Sequence, residues 1–175
     1  MDLSVHTWVI YSVLVTIVTL SAVIDYKRHR IPNWLSFSGW YLGPVIHFIF
    51  IGFPAMSDSL MGLGLVLLLT FPLFALNWMG AGDVKLMTSV GALVGFEHAL
   101  FFLASIAITG LVIGIAQLVL RGMLRAFARR YWTMLGLSLA SGRPVYVGPD
   151  GTHQAVIMPY AVSIAVGTFA ALYLV

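Results

Sequence analysis

Residues 5–30 read VHTWVIYSVLVTIVTLSAVIDYKRHR, an apolar run closed by a cluster of charges. A helix that crosses a bilayer needs about 20 mostly apolar residues, and Val5 to Ile24 supplies them before Asp25-Tyr26-Lys27-Arg28-His29-Arg30 stops the run. A cleaved secretory leader would start with bases and end at an A-x-A site. Here Asp2 stands where a base belongs and no such site precedes the polar stretch, so the segment is expected to be a retained helix.

The rest of the chain repeats this alternation. Ile31-Pro32-Asn33 restarts a helix, with Pro32 suited to a first turn where no N–H partner is needed, and a second span is expected from about Trp34 to Ile51. Gly52 to Asp58, holding Pro54, reads as a turn. Leu60 to Trp78 reads as a third span with a kink at Pro72. After Gly80-Ala81-Gly82-Asp83, a short fourth stretch reaches Phe96, with Glu97-His98 marking its far side. Ala99 to Leu120 returns as the fifth, and a sixth runs from about Ala155 to Val175 beyond the polar interval Arg121 to Gln154. The expected fold is therefore all-α, one polytopic membrane domain over residues 1–175 with about six transmembrane helices.

Composition points the same way. The 175 residues are 61% hydrophobic and 9% charged, with a mean hydropathy of +1.01, whereas a soluble domain carries about 25% charged residues. The absence of cysteine excludes disulfides, thiolate nucleophiles and cysteine zinc sites. Histidines at 6, 29, 47, 98 and 153 lack metal-ligand spacing, and no metal or cofactor is expected. Threading six spans alternately places all nine Lys and Arg residues (27, 28, 30, 85, 121, 125, 129, 130 and 143) on one side. By the positive-inside rule that side is cytoplasmic, and both termini lie outside. Small residues at four-residue spacing, such as Gly91 and Gly95 or Ala161 and Ala165, permit close helix packing. Arg121, Arg125 and Arg129, interleaved with apolar residues, read either as an amphipathic helix on inner-leaflet lipid or as a solvated loop. Neither reading calls for a nucleic-acid partner.

Two carboxylates, Asp25 and Asp83, fall at the cytoplasmic ends of different helices in this topology and can approach each other. An aspartyl hydrolase needs that arrangement: one carboxylate takes a proton from water while its protonated partner donates to the scissile carbonyl. A plainer reading stands beside it, with Asp25 an interfacial charge near Lys27 and Arg28 and Asp83 a helix N-cap. From Asp83 to Glu97 a helix spans only about 21 Å, less than the roughly 30 Å hydrocarbon core, so if Glu97 reaches the outer surface, Asp83 lies below the inner one. Gly80 and Gly82 beside it either admit an extended substrate backbone or simply make a turn.

Asp25 followed by Arg30-Ile31-Pro32-Asn33, then Gly80-Ala81-Gly82-Asp83-Val84-Lys85-Leu86, and later Pro159-Tyr160-Ala161, resemble the type IV prepilin peptidases, and more narrowly the short CpaA/TadV-like members that process Flp-type pilins. The resemblance implies that Asp25 and Asp83 are the catalytic pair, with Asn33, Gly80, Gly82 and Lys85 binding substrate or supporting the site. It implies an aspartic endopeptidase of the bacterial cytoplasmic membrane acting on a prepilin. Longer members add a cysteine zinc region and methylate the cleaved pilin; this chain has neither the cysteines nor room for that region, which implies peptidase activity alone. Two alternatives are a preflagellin-type peptidase, and a non-enzymatic scaffold or small transporter whose acids pair with Lys85 or conduct protons.

Overall fold

The computed structural model describes residues 3–28, 30–143 and 160–174, and no strand occurs among them. The helices are α1 (Leu3–Arg28), α2 (Asn33–Phe50), α3 (Phe53–Ala75), α4 (Ala81–Leu120), α5 (Leu124–Ser141) and α6 (Tyr160–Leu174). Val5–Arg28, Phe53–Ala75 and Ala81–Leu120 are long and apolar enough to cross a membrane, and Tyr160–Leu174 is a shorter apolar helix. The described residues are thus all-helical, and the protein is a multi-pass membrane protein. Residues 155–159 of the expected last span, with Pro159, His29 and His153, lie outside the described residues.

The side chains are sorted for lipid rather than for water. Large apolar groups such as Leu68, Tyr41 and Tyr173 face outward, while small hydroxyls such as Ser36, Ser59, Thr88 and Ser89 are buried. Without a hydrophobic force between helices in lipid, small residues and hydroxyl–carbonyl bonds hold the interfaces. Ser59 Oγ donates to the Ala92 carbonyl at 2.5 Å and Ser105 Oγ to the Gly167 carbonyl at 2.8 Å, linking α4 to α3 and to α6. A Cβ at Gly91 would stand 2.6 Å from Val66 Cγ2 and 2.8 Å from the Gly62 carbonyl, so α3 and α4 touch backbone to side chain only because Gly91 has none.

Two boundaries differ from the sequence reading. The segment Gly52 to Asp58 is not a turn: Gly52 alone stands outside, and α3 begins at Phe53 with Pro54 in its first turn, where a missing N–H costs nothing. At its other end α3 stops at Ala75, closed by Asn77 in the left-handed region (φ 57). The Asn77 N–H bonds the Phe74 carbonyl and the Trp78 N–H bonds the Leu73 carbonyl, which satisfies two of the last carbonyls of the helix.

The second difference is the reversal in α4. As one rod its 40 residues would span about 60 Å. Gly95 breaks it with φ 77 and ψ 174, a conformation essentially confined to glycine. The freed N–H of Phe96 donates to Asp58 Oδ2 at 3.2 Å. Beyond Gly95 the chain runs back: Ile106 meets Gly167, and Gly110 meets Tyr160 at the beginning of α6. The turn therefore falls at Gly95, just before the expected Glu97-His98, because glycine and a capping carboxylate decide it rather than charge.

The chain forms two compact units, Met1–Gly110 with Pro159–Val175, and Leu111–Met158. In the first, α1 packs on α6 and α2, and α2 on α3. The second contains α5, so Arg125 and Arg129 stand on a helix rather than a loop, with Trp132 and Leu139 largely exposed.

Candidate active site

Three stretches distant in sequence converge at one end of the first unit. The first is the close of α1 and the approach to α2. Asp25 lies in the last turns of α1, buried with 7% of its surface exposed, just ahead of Lys27 and Arg28, whose charges suit a helix C-terminus. Pro32 holds an extended conformation (φ −62, ψ 135), and its carbonyl accepts the first bonds of α2 from the N–H groups of Leu35 and Ser36. Pro32 therefore sits one position ahead of the helix instead of inside its first turn, and Asn33 opens α2.

The second stretch is Gly80 to Lys85. Asp83 is half-buried in the first turn of α4, past the N-cap position, and its carboxylate accepts a hydrogen bond from the Gly80 N–H. This is the reach-back bond of a capping box. The helix-capping reading is therefore partly right about the bond and wrong about the position. Asp83 also interacts electrostatically with Asp25 across the helix gap.

The two stretches interlock around that pair. A Cβ on Gly82 would meet the Ile31 side chain at 3.4 Å, so the glycine's bare side is packed by Ile31. A Cβ on Gly80 would lie 3.0 Å from Asp83 Oδ2, so this glycine makes room for the carboxylate itself. Lys85 Nζ donates to Asn33 Oδ1 at 3.1 Å and stands 4.8 Å over the Phe37 ring. The lysine thus finds its partner in an amide and an aromatic face rather than in either aspartate, which weighs against the scaffold reading in which the acids pair with it. Below it, Trp40 Nε1 donates to the Lys85 carbonyl at 3.1 Å, and Ser89 Oγ bonds the carbonyls of Lys85 and Ser36. Asn33, Ser36, Phe37 and Trp40 recur at three- and four-residue steps and so share one face of α2.

The third stretch is the start of α6. The Ala161 N–H, one of the four a helix leaves unpaired at its N-terminus, donates to Asp25 Oδ2 at 3.3 Å. Tyr160 beside it interacts electrostatically with Asp83. The sequence singled out Ile31 and Tyr160-Ala161 without giving them a task; Trp40, Ser36 and Ser89 carried no signal beyond helical spacing. All six residues named from sequence at this site, Asp25, Asn33, Gly80, Gly82, Asp83 and Lys85, fall in this one cluster. Among the described residues no three His, Cys, Asp or Glu side chains form a metal-binding group.

Paired carboxylates at the end of an apolar bundle, held by backbone N–H groups at helix termini, are a group that can exchange protons with water. A family model described as the type IV leader peptidase family matches residues 12–115, which include both aspartates and both interlocked stretches. No curated protein and no solved structure matches the chain.

Proposed function

Because this chain belongs to the type IV leader peptidase family, we propose that it is an intramembrane aspartyl endopeptidase that removes the leader of Flp-type prepilins at the cytoplasmic face of the bacterial inner membrane. The observation that carries the reading is the convergence of Asp25, Ile31 and Asn33, of residues 80–85 and of Tyr160-Ala161 on a single pair of carboxylates. In the proposed reaction one aspartate, ionised, takes a proton from water. The resulting hydroxide adds to the scissile carbonyl while the other aspartate, protonated, gives its proton to the carbonyl oxygen. Collapse of the tetrahedral adduct breaks the C–N bond, and a carboxyl proton passes to the leaving amine. No covalent intermediate forms. Two carboxylates that interact in one site share one proton when both cannot ionise cheaply, and in the proposed reaction this keeps one acid and one base together.

In the proposed topology six spans, including the two arms of α4, bring every Lys and Arg to the cytoplasmic side and leave both termini outside. Asp25 and Asp83 then lie at the inner surface, where a prepilin's basic leader meets its apolar helix. Asn33 and Lys85 act as positioning residues that fix α2 to the start of α4, and Gly80 and Gly82 give Asp83 and Ile31 their space. The whole chain is proposed as one peptidase domain. Lacking cysteine, it leaves the new N-terminus unmethylated.

The test is cleavage of a candidate prepilin by the purified protein, read by mass spectrometry. A single cut after a small residue, giving a product of unmodified mass, is expected. No cleavage of any Flp-type or preflagellin-type precursor, together with proton-coupled uptake in vesicles, would favour the transporter reading instead.

A further inference from the structure

The end of the first unit away from the aspartates holds a second cluster of titratable side chains. His6 lies near the start of α1, His47 in the last turn of α2, and His98 shortly after the Gly95 break in α4. They line one cavity of about 140 Å³ together with Tyr11 and Phe102. From His6 to Asp25 the helix rises about 28 Å, so this cavity and the carboxylate pair are separate sites.

The imidazoles are unusual for an apolar bundle. His6 and His47 are 8% and 6% exposed, with ring centroids 4.9 Å apart and planes at 82°. His47 Nδ1 lies 2.8 Å from the Gly43 carbonyl. A carbonyl can only accept, so Nδ1 carries the proton and Nε2 keeps its lone pair free. His6 Nε2 is buried and has no hydrogen-bond partner among the described residues. A buried polar atom without a partner is costly, and a cation between His6 Nε2 and the Nε2 lone pair of His47 would give the buried His6 nitrogen the partner it lacks. An imidazole bonded to a carbonyl through one nitrogen and free at the other is the usual form of a histidine that ligates a metal. Two imidazoles that share one zinc ion at about 2.0–2.1 Å have ring centres roughly 5 Å apart, close to the spacing found here.

We propose that His6 and His47 form a binding site for a first-row transition-metal dication, Zn²⁺ or Cu²⁺, that clamps α1 to α2 at the end of the bundle opposite the carboxylates. Imidazole suits these ions, whereas Mg²⁺ and Ca²⁺ prefer oxygen. Two histidines stand ready and no ready-made trio exists among the described residues. Water in the cavity fills the remaining positions, and His98, half-buried across it, joins as a third ligand on rotating its side chain.

The experiment uses the full chain in detergent, without a histidine tag and stripped of metal by chelator. Cu²⁺ is titrated in and followed by electron paramagnetic resonance, and Zn²⁺ by calorimetry and by the unfolding midpoint. One ion per chain is expected, with nitrogen coupling in the Cu²⁺ spectrum and a higher unfolding midpoint with Zn²⁺. His6→Phe keeps a ring beside Phe50 and His47→Phe keeps one beside His6, and each should weaken binding by more than about tenfold. Both should also abolish the Zn²⁺ stabilisation at unchanged helical content. A His29→Ala/His153→Ala variant should bind as the parent does. Binding that survives both phenylalanine substitutions, loss of binding in the His29/His153 variant, or no uptake by the folded parent would each overturn the proposal.

Discussion

Among the described residues aspartates stand at both ends of the same bundle, and all three of these bond a backbone N–H in nearly the same way. Asp25 accepts from Ala161, Asp83 from Gly80, and Asp58 from Phe96. What separates the ends is company. Asp25 and Asp83 interact with each other at the meeting of three helix termini, whereas Asp58 stands alone beneath the bend at Gly95. A carboxylate that only caps can be replaced by any good acceptor. One that exchanges protons with a partner cannot. The comparison therefore turns the question of function into a question about one substitution, Asp→Asn, made at three places.

The largest effect is expected at the paired end. Asp25→Asn and Asp83→Asn should each slow prepilin cleavage by roughly a hundred- to ten-thousandfold, the usual contribution of a positioned acid or base. Each variant should still insert and accumulate, since asparagine accepts the same N–H bond. Vesicle-based cleavage at matched protein levels measures this directly. Near-normal turnover by either variant would reduce the pair to structural caps and erase the difference between the ends.

A smaller loss should follow from loosening the contact that joins the two motifs. Asn33→Ala and Lys85→Met each remove the 3.1 Å bond between α2 and the start of α4, and kcat should fall about tenfold with KM little changed. Because the partners touch, the double variant should lose about the same tenfold rather than a hundredfold. Fully additive losses would mean that Lys85 and Asn33 meet the substrate independently instead of fixing the site.

At the other end the expected cost moves from rate to stability. Gly95→Ala forces a side chain into a backbone conformation that only glycine adopts readily and drives its Cβ into the Asp58 carboxylate. Strain of about 1–3 kcal/mol is expected, read as an earlier transition on unfolding, while the molecules that remain folded cleave at the parental rate.

The same contrast explains what the sequence could and could not convey. Asp25, Asn33, Asp83 and Lys85 were legible because each sits in a short motif, where spacing along the chain already fixes position in space. The long apolar helices were legible because lipid demands such runs, whereas α5 lies in the polar interval, where helix and loop were both open. The exact turn was not: Glu97-His98 looked like the far boundary on charge, yet the bend is set at Gly95 by a carboxylate 37 positions earlier, at Asp58. The start of α3 was misread because Pro54 signals a turn and a first helical turn equally well. His6 and His47 were invisible as a pair, since nothing local relates the start of α1 to the end of α2. Ile31 packing on Gly82 was hidden for the same reason.

The smallest effect is the most discriminating, because it repeats the chemistry of the largest in a place where chemistry should not matter. In Asp58→Asn the amide oxygen still accepts the Phe96 N–H, and asparagine caps a helix as well as aspartate does. Stability should change by less than about 0.5 kcal/mol and cleavage by less than about twofold. Asp58→Ala is the counterpart that removes the acceptor altogether; it should cost about 0.5–2 kcal/mol, the range for losing a capping side chain, and still leave the rate per folded molecule unchanged. Unfolding curves and cleavage rates for the two variants, set beside Asp25→Asn and Asp83→Asn, place all three carboxylates on one scale. If Asp58→Asn were as inactive as the paired variants, charge itself would be required at both ends. The bend at Gly95 would then belong to the catalytic cycle, and proton exchange between Asp25 and Asp83 would no longer account for the site alone.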